Sequence, residues 1–404
     1  MKKNILMLTS IYPAPDLNLL NNTNVCHYFA KEWVKMGYNV IVVFNYPIYL
    51  RVFHVVARYF EKLAASKFST YIPTNYLKED FEYEIDGVRV IRMPLFKPMP
   101  YKKVPRHVLL KQVDKIISNN LDKKFIPDVI VAHNYYPFID ILFNLKKTYK
   151  DANTCIVVHK QALKLKEYLG NTYQDYIDKI DTWGFRSLPL KREFENKYGT
   201  LRKTFICYSG VPSFYFKDVS KIKKLPLKLK RFVYVGSFIK RKYPDCLLDA
   251  LHSVYPQNDF NLDYVGQGNL ANKLRRKVDQ YKMQNQVLFH GHLPRLKVLD
   301  ILLNAECFIM ISKDETFGLV YLEAMSQGCI TIASKNEGME GIIVDGENGF
   351  LCEAGNYLEL SLVVRKINSL SIEDKCAISR KAKETAFNLS DSKVAQMYID
   401  NVII

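Results

Sequence analysis

Two acidic residues, Glu315 and Glu323, are the side chains of this sequence best placed to do chemistry. The apolar run 307–311 before them predicts a buried strand, and the segment after Glu315 predicts a helix that ends at Gly328. Glu315 is therefore expected on a strand-to-helix loop and Glu323 inside the helix. The backbone amides of residues 317–320 would be unpaired at the helix start, where phosphate binds well. A carboxylate one or two turns further along can accept hydrogen bonds from sugar hydroxyls.

The residues around this pair resemble those of a known family. Phe317-Gly318-Leu319-Val320 lies between the two acids, Glu323-Ala324-Met325 includes the second, and Gly328 precedes the next predicted strand. The segment is similar to the two-glutamate region of retaining glycosyltransferases of family 4, which have the GT-B fold and use nucleotide-sugar donors. The resemblance implies that Glu315 binds donor-sugar hydroxyls, Glu323 holds the ribose, and the loop amides bind the diphosphate. Taken alone, the two acids would more often be ordinary surface residues.

A second segment, 235–245, follows a predicted strand and precedes a helix-like run. Gly236 allows close approach of the backbone, and Lys242 can act as a point charge for a diphosphate. The segment resembles the Gly-Arg…Lys phosphate-binding segment of the same family, with Lys242 at the Lys position and Ser237 where an Arg is common. The alternative is a solvated helix start, although cations there are mildly unfavourable for the helix.

Several other candidates follow predicted strands, at the edge of a parallel sheet where ligands bind. The resemblance implies that backbone groups near Gly291 and His292 contact the nucleotide base, whereas His290 is expected to be structural. His159 ends the strand 154–158 and matches a family His that contacts the donor sugar. His133 is similarly placed after another strand, with a structural role as an equal alternative.

The order of predicted elements indicates an α/β fold made of two series of similar length. A Lys-rich, Pro-containing stretch at 218–231 predicts a linker. The resemblance implies the GT-B arrangement, in which two Rossmann-like domains face a central cleft. We expect an acceptor-binding domain at 1–217 and a nucleotide-sugar-binding domain at 218–387. A C-terminal helix at about 388–404 is expected to pack back on the first domain.

The charge of the 404-residue chain is strongly positive, at +17. Its Lys and Arg residues cluster, which indicates an anionic partner. The segments Tyr46–Lys67 and Leu95–Lys115 mix basic with aromatic and aliphatic residues, a pattern typical of peripheral contact with an anionic membrane. The equal alternative is an ordinary amphipathic helix packed on its own domain. No apolar run approaches the length of a membrane span, and no His, Cys or Asp cluster has metal-ligand spacing.

The resemblance implies a metal-independent, retaining enzyme that uses no cofactor and transfers sugar from a nucleotide diphosphate, UDP favoured. The expected acceptor is a glycan or lipid-linked molecule of bacterial-type surface polysaccharide synthesis. We expect a cytoplasmic protein, with peripheral contact at the inner face of the membrane. Lys242 and the amides of residues 318–320 would stabilise the leaving diphosphate, while Glu315 and His159 would contact the sugar. Two alternatives are a nucleotide-sugar epimerase of the same fold and a basic nucleic-acid-binding protein. The sequence contains no nucleic-acid-binding motif, so nucleic acid is not the expected partner.

Overall fold

The structure, a computed structural model, describes residues 3–17, 24–68, 73–99, 102–134, 136–159, 164–216 and 223–403. Residues 218–222 of the predicted linker lie outside these described ranges. The same holds for residues 100 and 101 of the second basic segment, and for the side chains of residues 60–67 of the first. The chain divides into two compact units, which are described separately. The first comprises Met1–Phe185, Phe194–Cys207 and Ala395–Ile404, and the second comprises Arg186–Glu193 and Tyr208–Val394.

The first unit is built on a sheet of eight strands within the described residues. They are β1 (Asn4–Thr9), β2 (Asn39–Ile48), β3 (Phe81–Ile85), β4 (Val88–Phe96), β5 (Val129–His133), β6 (Asn153–Val158), β7 (Thr182–Phe185) and β8 (Thr204–Ile206). Their order in the sheet is β3-β4-β2-β1-β5-β6-β7-β8. Only the β3–β4 pair is antiparallel among these neighbours. β1, β5 and β6 are apolar and buried on both faces, as parallel strands covered by helices usually are.

Helices connect these strands. They are α1 (Val25–Lys35), α2 (Arg51–Phe68), α3 (Arg106–Asp122), α4 (Phe138–Thr148), α5 (Leu165–Leu169), α6 (Tyr173–Lys179) and α7 (Leu188–Tyr198). α7 contributes residues to both units.

The second unit contains a six-stranded sheet in which every neighbouring pair is parallel. Its strands are β9 (Arg231–Val235), β10 (Asn261–Val265), β11 (Val287–Gly291), β12 (Cys307–Ile309), β13 (Ile330–Ser334) and β14 (Phe350–Cys352). Their order is β11-β10-β9-β12-β13-β14. The helices that follow α7 are α8 (Pro244–Val254), α9 (Ala271–Gln280), α10 (Arg295–Asn304), α11 (Leu319–Ser326), α12 (Tyr357–Ser369), α13 (Ile372–Asn388) and α14 (Asp391–Val402). The predicted α/β class with parallel, Rossmann-like sheets is confirmed.

Residues from the end of the chain complete the core of the first unit. The indole N–H of Trp33 in α1 donates a hydrogen bond to the backbone carbonyl of Ala395 (3.0 Å). The ring of Tyr398 packs edge-on against those of Phe29 and Trp33, at centroid distances of 5.1 and 5.0 Å. All of these side chains are buried. Apolar burial of this kind is the main stabilising term in a core, so α14 is part of what holds the first unit together.

No helix in the described ranges is both long and apolar enough to cross a membrane. Over the same residues, no group of three or more His, Cys, Asp or Glu is arranged to hold a metal ion.

His54 in α2 is buried, and burial lowers its pKa. Its Nε2 accepts a hydrogen bond from the Tyr49 amide (2.9 Å), and its Nδ1 lies 2.7 Å from the Pro73 carbonyl oxygen. The neutral ring with its proton on Nδ1 satisfies both contacts. Because the folded-state pKa lies below the unfolded value of about 6.5, the unfolded chain binds more protons as the pH falls. The stability that depends on neutral His54 is therefore present above about pH 6.5 and is lost as the pH falls through the folded-state pKa.

We predict that the free energy of unfolding of the first unit is lower at pH 5.5 than at pH 7.5. The sequence contains two tryptophans, Trp33 and Trp183, and both belong to that unit, so urea unfolding followed by tryptophan fluorescence reports on it. The His54→Gln variant should show a weaker pH dependence than the parent. Burial also lowers the pKa of His27, so His27 accounts for part of the pH dependence that the variant retains. An identical pH dependence in parent and variant would contradict the role given to His54.

Candidate active site

The strand order of the second unit brings two loops together. β9 lies between β10 and β12, so the connections that leave the carboxyl ends of β9 and β12 diverge at this point. In open parallel sheets, ligands bind outside the strand ends at such a position. The two loops are tied by a backbone hydrogen bond from the Lys313 amide to the Arg241 carbonyl (2.7 Å). The Arg241 guanidinium in turn donates to the carbonyl of Asp314 (3.2 Å).

Glu315 and Lys242, predicted from separate segments, meet at this junction. The Lys242 ammonium lies 3.4 Å from Oε2 of Glu315, and the Arg241 guanidinium lies 3.7 Å from the same oxygen. The side chains of Glu315 and Lys242 are only 14% and 15% exposed, so solvent screens their interaction less than it would a surface pair. The hydroxyl of Ser312 also donates to Oε2 of Glu315 (3.4 Å).

A further carboxylate fixes the backbone of this loop. Oε2 of Glu337 accepts a hydrogen bond from the Glu315 amide (2.8 Å). Burial raises the pKa of Glu337, and the nearby Asp314 and Glu315 carboxylates act in the same direction. Glu337 thus supports the position of Glu315 through its backbone. Sequence reasoning did not single out Glu337, because it lies 22 residues further along the chain.

Lys242 lies in a short 3₁₀ turn, Lys240–Lys242, immediately before α8. Tyr243 follows in the left-handed region (φ 44°, ψ 47°), and Pro244 begins the helix. This turn, rather than the helix itself, carries the cations, so they avoid the unfavourable interaction with the helix N-terminus. The contact of Arg241 with Glu315 was not predicted, because adjacent basic residues cannot be ranked by sequence alone.

The start of α11 is set by Gly318. Gly318 has φ 82° and ψ 64°, and a Cβ atom there would lie 2.5 Å from the ring of Tyr321. Any other residue would therefore be strained and would clash. The side chain of Phe317 is buried, with the Arg186 guanidinium 5.1 Å from its ring centroid, so Phe317 can serve a ligand only through its backbone. Leu319 and Val320 form the first turn of α11 and are partly exposed.

Glu323 is buried in α11, at 7% exposure, and is paired with Arg295 at the start of α10. Nε of Arg295 donates to Oε1 of Glu323 (2.8 Å), and Nη2 donates to the same oxygen. A buried carboxylate needs such a partner to stay ionised at low cost. The ring of Tyr215 lies beside this pair, 5.7 Å from the guanidinium, and burial raises the pKa of its hydroxyl. Arg295 was missed because a single arginine after a Pro has no distinctive pattern.

The glycine-containing loops pack tightly on one another. Gly266 has φ 142°, and a Cβ atom there would lie 2.0 Å from the carbonyl oxygen of Gly236. The Gly236 amide donates to Val265 (2.9 Å), and the Gly266 amide donates to Gly291 (2.7 Å). The loops after β9, β10 and β11 thus form one continuous edge that includes Gly236 and Gly291.

Three predicted residues at this edge have different environments. Ser237 and His292 are exposed. The carbonyl of Ser237 accepts a hydrogen bond from the Tyr234 hydroxyl (3.1 Å). His290 contacts Asp263 through Nε2 (2.6 Å), an arrangement in keeping with a structural role.

In the first unit, His133 and His159 contact each other. Nδ1 of His133 lies 2.8 Å from Nε2 of His159, and Nε2 of His133 lies 3.4 Å from the Tyr398 hydroxyl. This proximity follows from the sheet order, because β5 and β6 are adjacent and each His stands at a strand end. His133 is buried against Phe29 and Tyr398, so it fits a positioning role, whereas His159 is partly exposed.

Comparison with known proteins finds similarity in sequence to one family. Residues 216–385 match the family described as Glycosyl transferases group 1. N-acetyl-alpha-D-glucosaminyl L-malate synthase of Bacillus anthracis is 30% identical over 146 residues, covering 35% of this chain and 38% of that protein. Alpha-monoglucosyldiacylglycerol synthase of Streptococcus pneumoniae is 27% identical over 187 residues, covering 45% and 40%. These matches therefore span about two fifths of the two curated relatives.

The likeness in fold covers nearly the whole chain. The Anabaena protein Alr3699/HepE, solved in complex with UDP, superposes with a TM-score of 0.68 at 16% identity, over 98% of both chains. At that identity the likeness concerns the fold. The chain thus has the fold of the GT-B glycosyltransferases, and its residues 216–385 are similar to the glycosyl transferases group 1 family.

Proposed function

We propose that this protein is a retaining glycosyltransferase of family 4 that transfers a sugar from a nucleotide diphosphate donor, a UDP-sugar being favoured. The observation that carries the proposal is the contact of Lys242 with Glu315 beside the start of α11, inside the group 1 domain. A cation, a carboxylate and unpaired helix amides at one sheet edge suit a sugar diphosphate: the anion meets the cation and amides, and the hydroxyls meet the carboxylate.

Each residue then has a stated role. Lys242 and the amides of Gly318, Leu319 and Val320 stabilise the negative charge that grows on the leaving diphosphate. Glu315 accepts hydrogen bonds from donor-sugar hydroxyls, with Arg241 still beside it when Lys242 turns to the diphosphate.

The remaining assignments concern the nucleoside and the sugar face. Glu323, paired with Arg295, binds the ribose, and the edge around Gly291 and His292 receives the base. His159 orients the sugar, and His133 holds the ring of His159 in position. Gly236 and Ser237 line the approach to the diphosphate through their backbone. The acceptor attacks on the face from which the diphosphate leaves, and the reaction as proposed uses neither metal nor cofactor.

The acceptor we propose is a glycan or a lipid-linked molecule of surface polysaccharide synthesis, in the cytoplasm or at the inner membrane face. Curated relatives named as a poly(glycerol-phosphate) alpha-glucosyltransferase and as a lipopolysaccharide core biosynthesis glycosyltransferase support this class. The relative named as a diacylglycerol glycolipid synthase supports an acceptor borne by a membrane.

A panel of nucleotide sugars tests the proposal directly. A bound donor raises the unfolding temperature by mass action, so one UDP-sugar should stabilise the protein more than the others do. Incubation with that donor and candidate acceptors, followed by anomeric NMR of the product, should give a glycoside of retained configuration. An altered free nucleotide sugar without acceptor would favour an epimerase instead. Absence of stabilisation by any donor, with salt-dependent binding to nucleic acid, would overturn the assignment.

Membrane contact is proposed through α2 rather than through the second basic segment. Lys103 in that segment donates to the carbonyls of Glu167 (3.1 Å) and Tyr168 (2.8 Å), and Lys97 is half-buried, so neither is a free surface charge. α2 instead exposes apolar side chains, with Val55 at 55% and Tyr59 at 76% exposure. Exposed apolar residues next to basic ones suit an anionic bilayer surface.

We predict that changing Val52, Val55 and Tyr59 together to Ser releases the protein from anionic vesicles. Each lost apolar contact should weaken binding by about 1 kcal/mol or more, since each buries a side chain in lipid. Co-sedimentation at low and high salt measures this. The matched control changes Lys102 and Arg106 of the second basic segment to Ser and should leave binding at high salt unchanged, because general charge attraction is screened there. Unchanged sedimentation of the α2 variant would contradict the assignment of this helix face.

A further inference from the structure

A cavity of about 270 Å³ lies within the first unit, and its lining includes none of the residues given a role in sugar transfer. It is lined at the carboxyl ends of β1, β2 and β4 and by the residues that follow β5. Most of its walls are apolar, from Ile11, Pro47, Leu95, Val104 and Phe138. Its position at strand ends is where parallel sheets receive ligands.

The Lys97 ammonium and the hydroxyls of Tyr49 and Ser10 line this cavity without a hydrogen bond to any residue that the structure describes. The Lys97 ammonium lies 5.4 Å from the ring centroid of Tyr136 and has no hydrogen bond or ion pair with any residue that the structure describes. Burial lowers its pKa, as expected of a cation without a carboxylate beside it. Tyr49 is only 2% exposed, and its hydroxyl finds no partner among the described residues either. A bound acceptor atom would give both Lys97 and Tyr49 a hydrogen-bond partner.

Two further polar groups around the cavity accept hydrogen bonds from the protein itself. Oδ1 of Asn45 accepts from the Gln112 side chain (2.8 Å), and the Tyr136 hydroxyl accepts from the Val104 amide (2.7 Å). The Lys97 amide donates to Ile48 (2.8 Å). Together with the bond from the Tyr49 amide to His54, these contacts fix the backbones that carry both donors. The cavity is therefore preorganised, with a cation and hydroxyl groups as its available polar groups.

We propose that this cavity binds an anionic group of the acceptor, phosphate or carboxylate, attached to a small apolar group. A phosphate or carboxylate oxygen satisfies both Lys97 and Tyr49, and the apolar walls gain from burying carbon atoms. A neutral sugar does not fit, because its several hydroxyls would face apolar walls and leave Lys97 unpaired. The acceptor role rests on the proposed glycosyltransferase function, whereas binding of the anion does not.

Calorimetric titration of the full chain tests the site without any donor. The probes are n-butyl phosphate, butyrate, n-butanol and inorganic phosphate. We expect n-butyl phosphate or butyrate to bind. n-Butanol lacks the anionic group and inorganic phosphate lacks the apolar chain, so each should bind about tenfold or more weakly. Whether n-butyl phosphate or butyrate binds more tightly distinguishes a phosphate from a carboxylate acceptor. Equal binding of n-butanol would overturn the proposal.

Substitutions separate the site from its surroundings. Lys97→Met should weaken binding of the preferred anion about tenfold or more, Lys97→Arg should restore most of it, and Tyr49→Phe should have a smaller effect. Lys150→Met, at an exposed lysine outside the cavity, removes the same charge and should change nothing. Undiminished binding by folded Lys97→Met protein would disprove the assignment. Sugar transfer without anion binding would refute this cavity alone, and anion binding without transfer would refute only the proposed function.

Discussion

Replacing Lys242 with alanine is expected to lower kcat by about 100- to 1000-fold, with a much smaller change in donor affinity. Lys242 lies 3.4 Å from Glu315 in a weakly exposed position, so its charge acts with little screening. Charge on the diphosphate grows as the glycosidic bond breaks, and the interaction with Lys242 should therefore be stronger in the transition state than in the bound donor. In the family that this segment resembles, an Arg is common at the position of Ser237. Lys242 is therefore expected to carry more of the charge stabilisation here.

Steady-state kinetics with the preferred donor provide the measurement, and Lys240→Ala provides the control. Lys240 belongs to the same 3₁₀ turn and is exposed, so its loss changes the net charge equally. We expect Lys240→Ala to behave like the parent and Lys242→Arg to retain part of the rate. A variant Lys242→Ala that raises only the KM for the donor would show uniform binding and refute the transition-state role.

Replacing Glu323 with alanine should weaken donor binding roughly 10- to 150-fold, equivalent to about 1.5–3 kcal/mol. The expected cause is the loss of charge-assisted hydrogen bonds to the ribose. Calorimetry with UDP and with the preferred donor should show the same loss for both ligands, because both contain the ribose. Unchanged affinity for UDP would remove Glu323 from the nucleotide site.

The pairing of Glu323 with Arg295 calls for a second variant. Alanine at 323 leaves the Arg295 guanidinium without its partner, and this orphaned charge could itself disturb the site. The double variant Glu323→Ala/Arg295→Ala removes that charge. If the ribose contact is the cause, the double variant binds UDP as weakly as the single variant. Recovery of affinity in the double variant would mean that Glu323 acts only by neutralising Arg295.

Local patterns predicted the elements that carry the site. The structure contains the predicted strand before Glu315, the loop, and the helix that ends at Gly328. These features could be predicted because the apolar run and the two glycines are adjacent in the sequence. β3 and β7 were not predicted. β7 is only four residues long, and its Gly184 allows Phe205 and Val157 to approach within about 3 Å of a Cβ position. Such packing depends on residues distant in the chain and leaves no local signal.

Local sequence patterns could not predict contacts between residues that are distant in the chain. Glu315 and Lys242 were each found through the family resemblance, but no periodicity relates residues in separate loops to one another. The sequence pattern predicts Lys97 and Lys103 as members of a basic surface segment. In the structure Lys97 is half-buried beside a cavity, whereas Lys103 is exposed and donates to backbone carbonyls, because the positions of the surrounding elements decide which contacts a lysine makes.

The bond between Trp33 and Ala395 has a consequence for synthesis on the ribosome. Its two partners are 362 positions apart. At the usual rate of translation, of about 5–20 residues per second, Trp33 emerges tens of seconds before Ala395 is made. Throughout that interval the first unit lacks the packing of Tyr398 and Ala395, while the whole second unit is being synthesised. The nascent first unit is then exposed to chaperones and proteases with its core unfinished, and that core is completed only once α14 has been made.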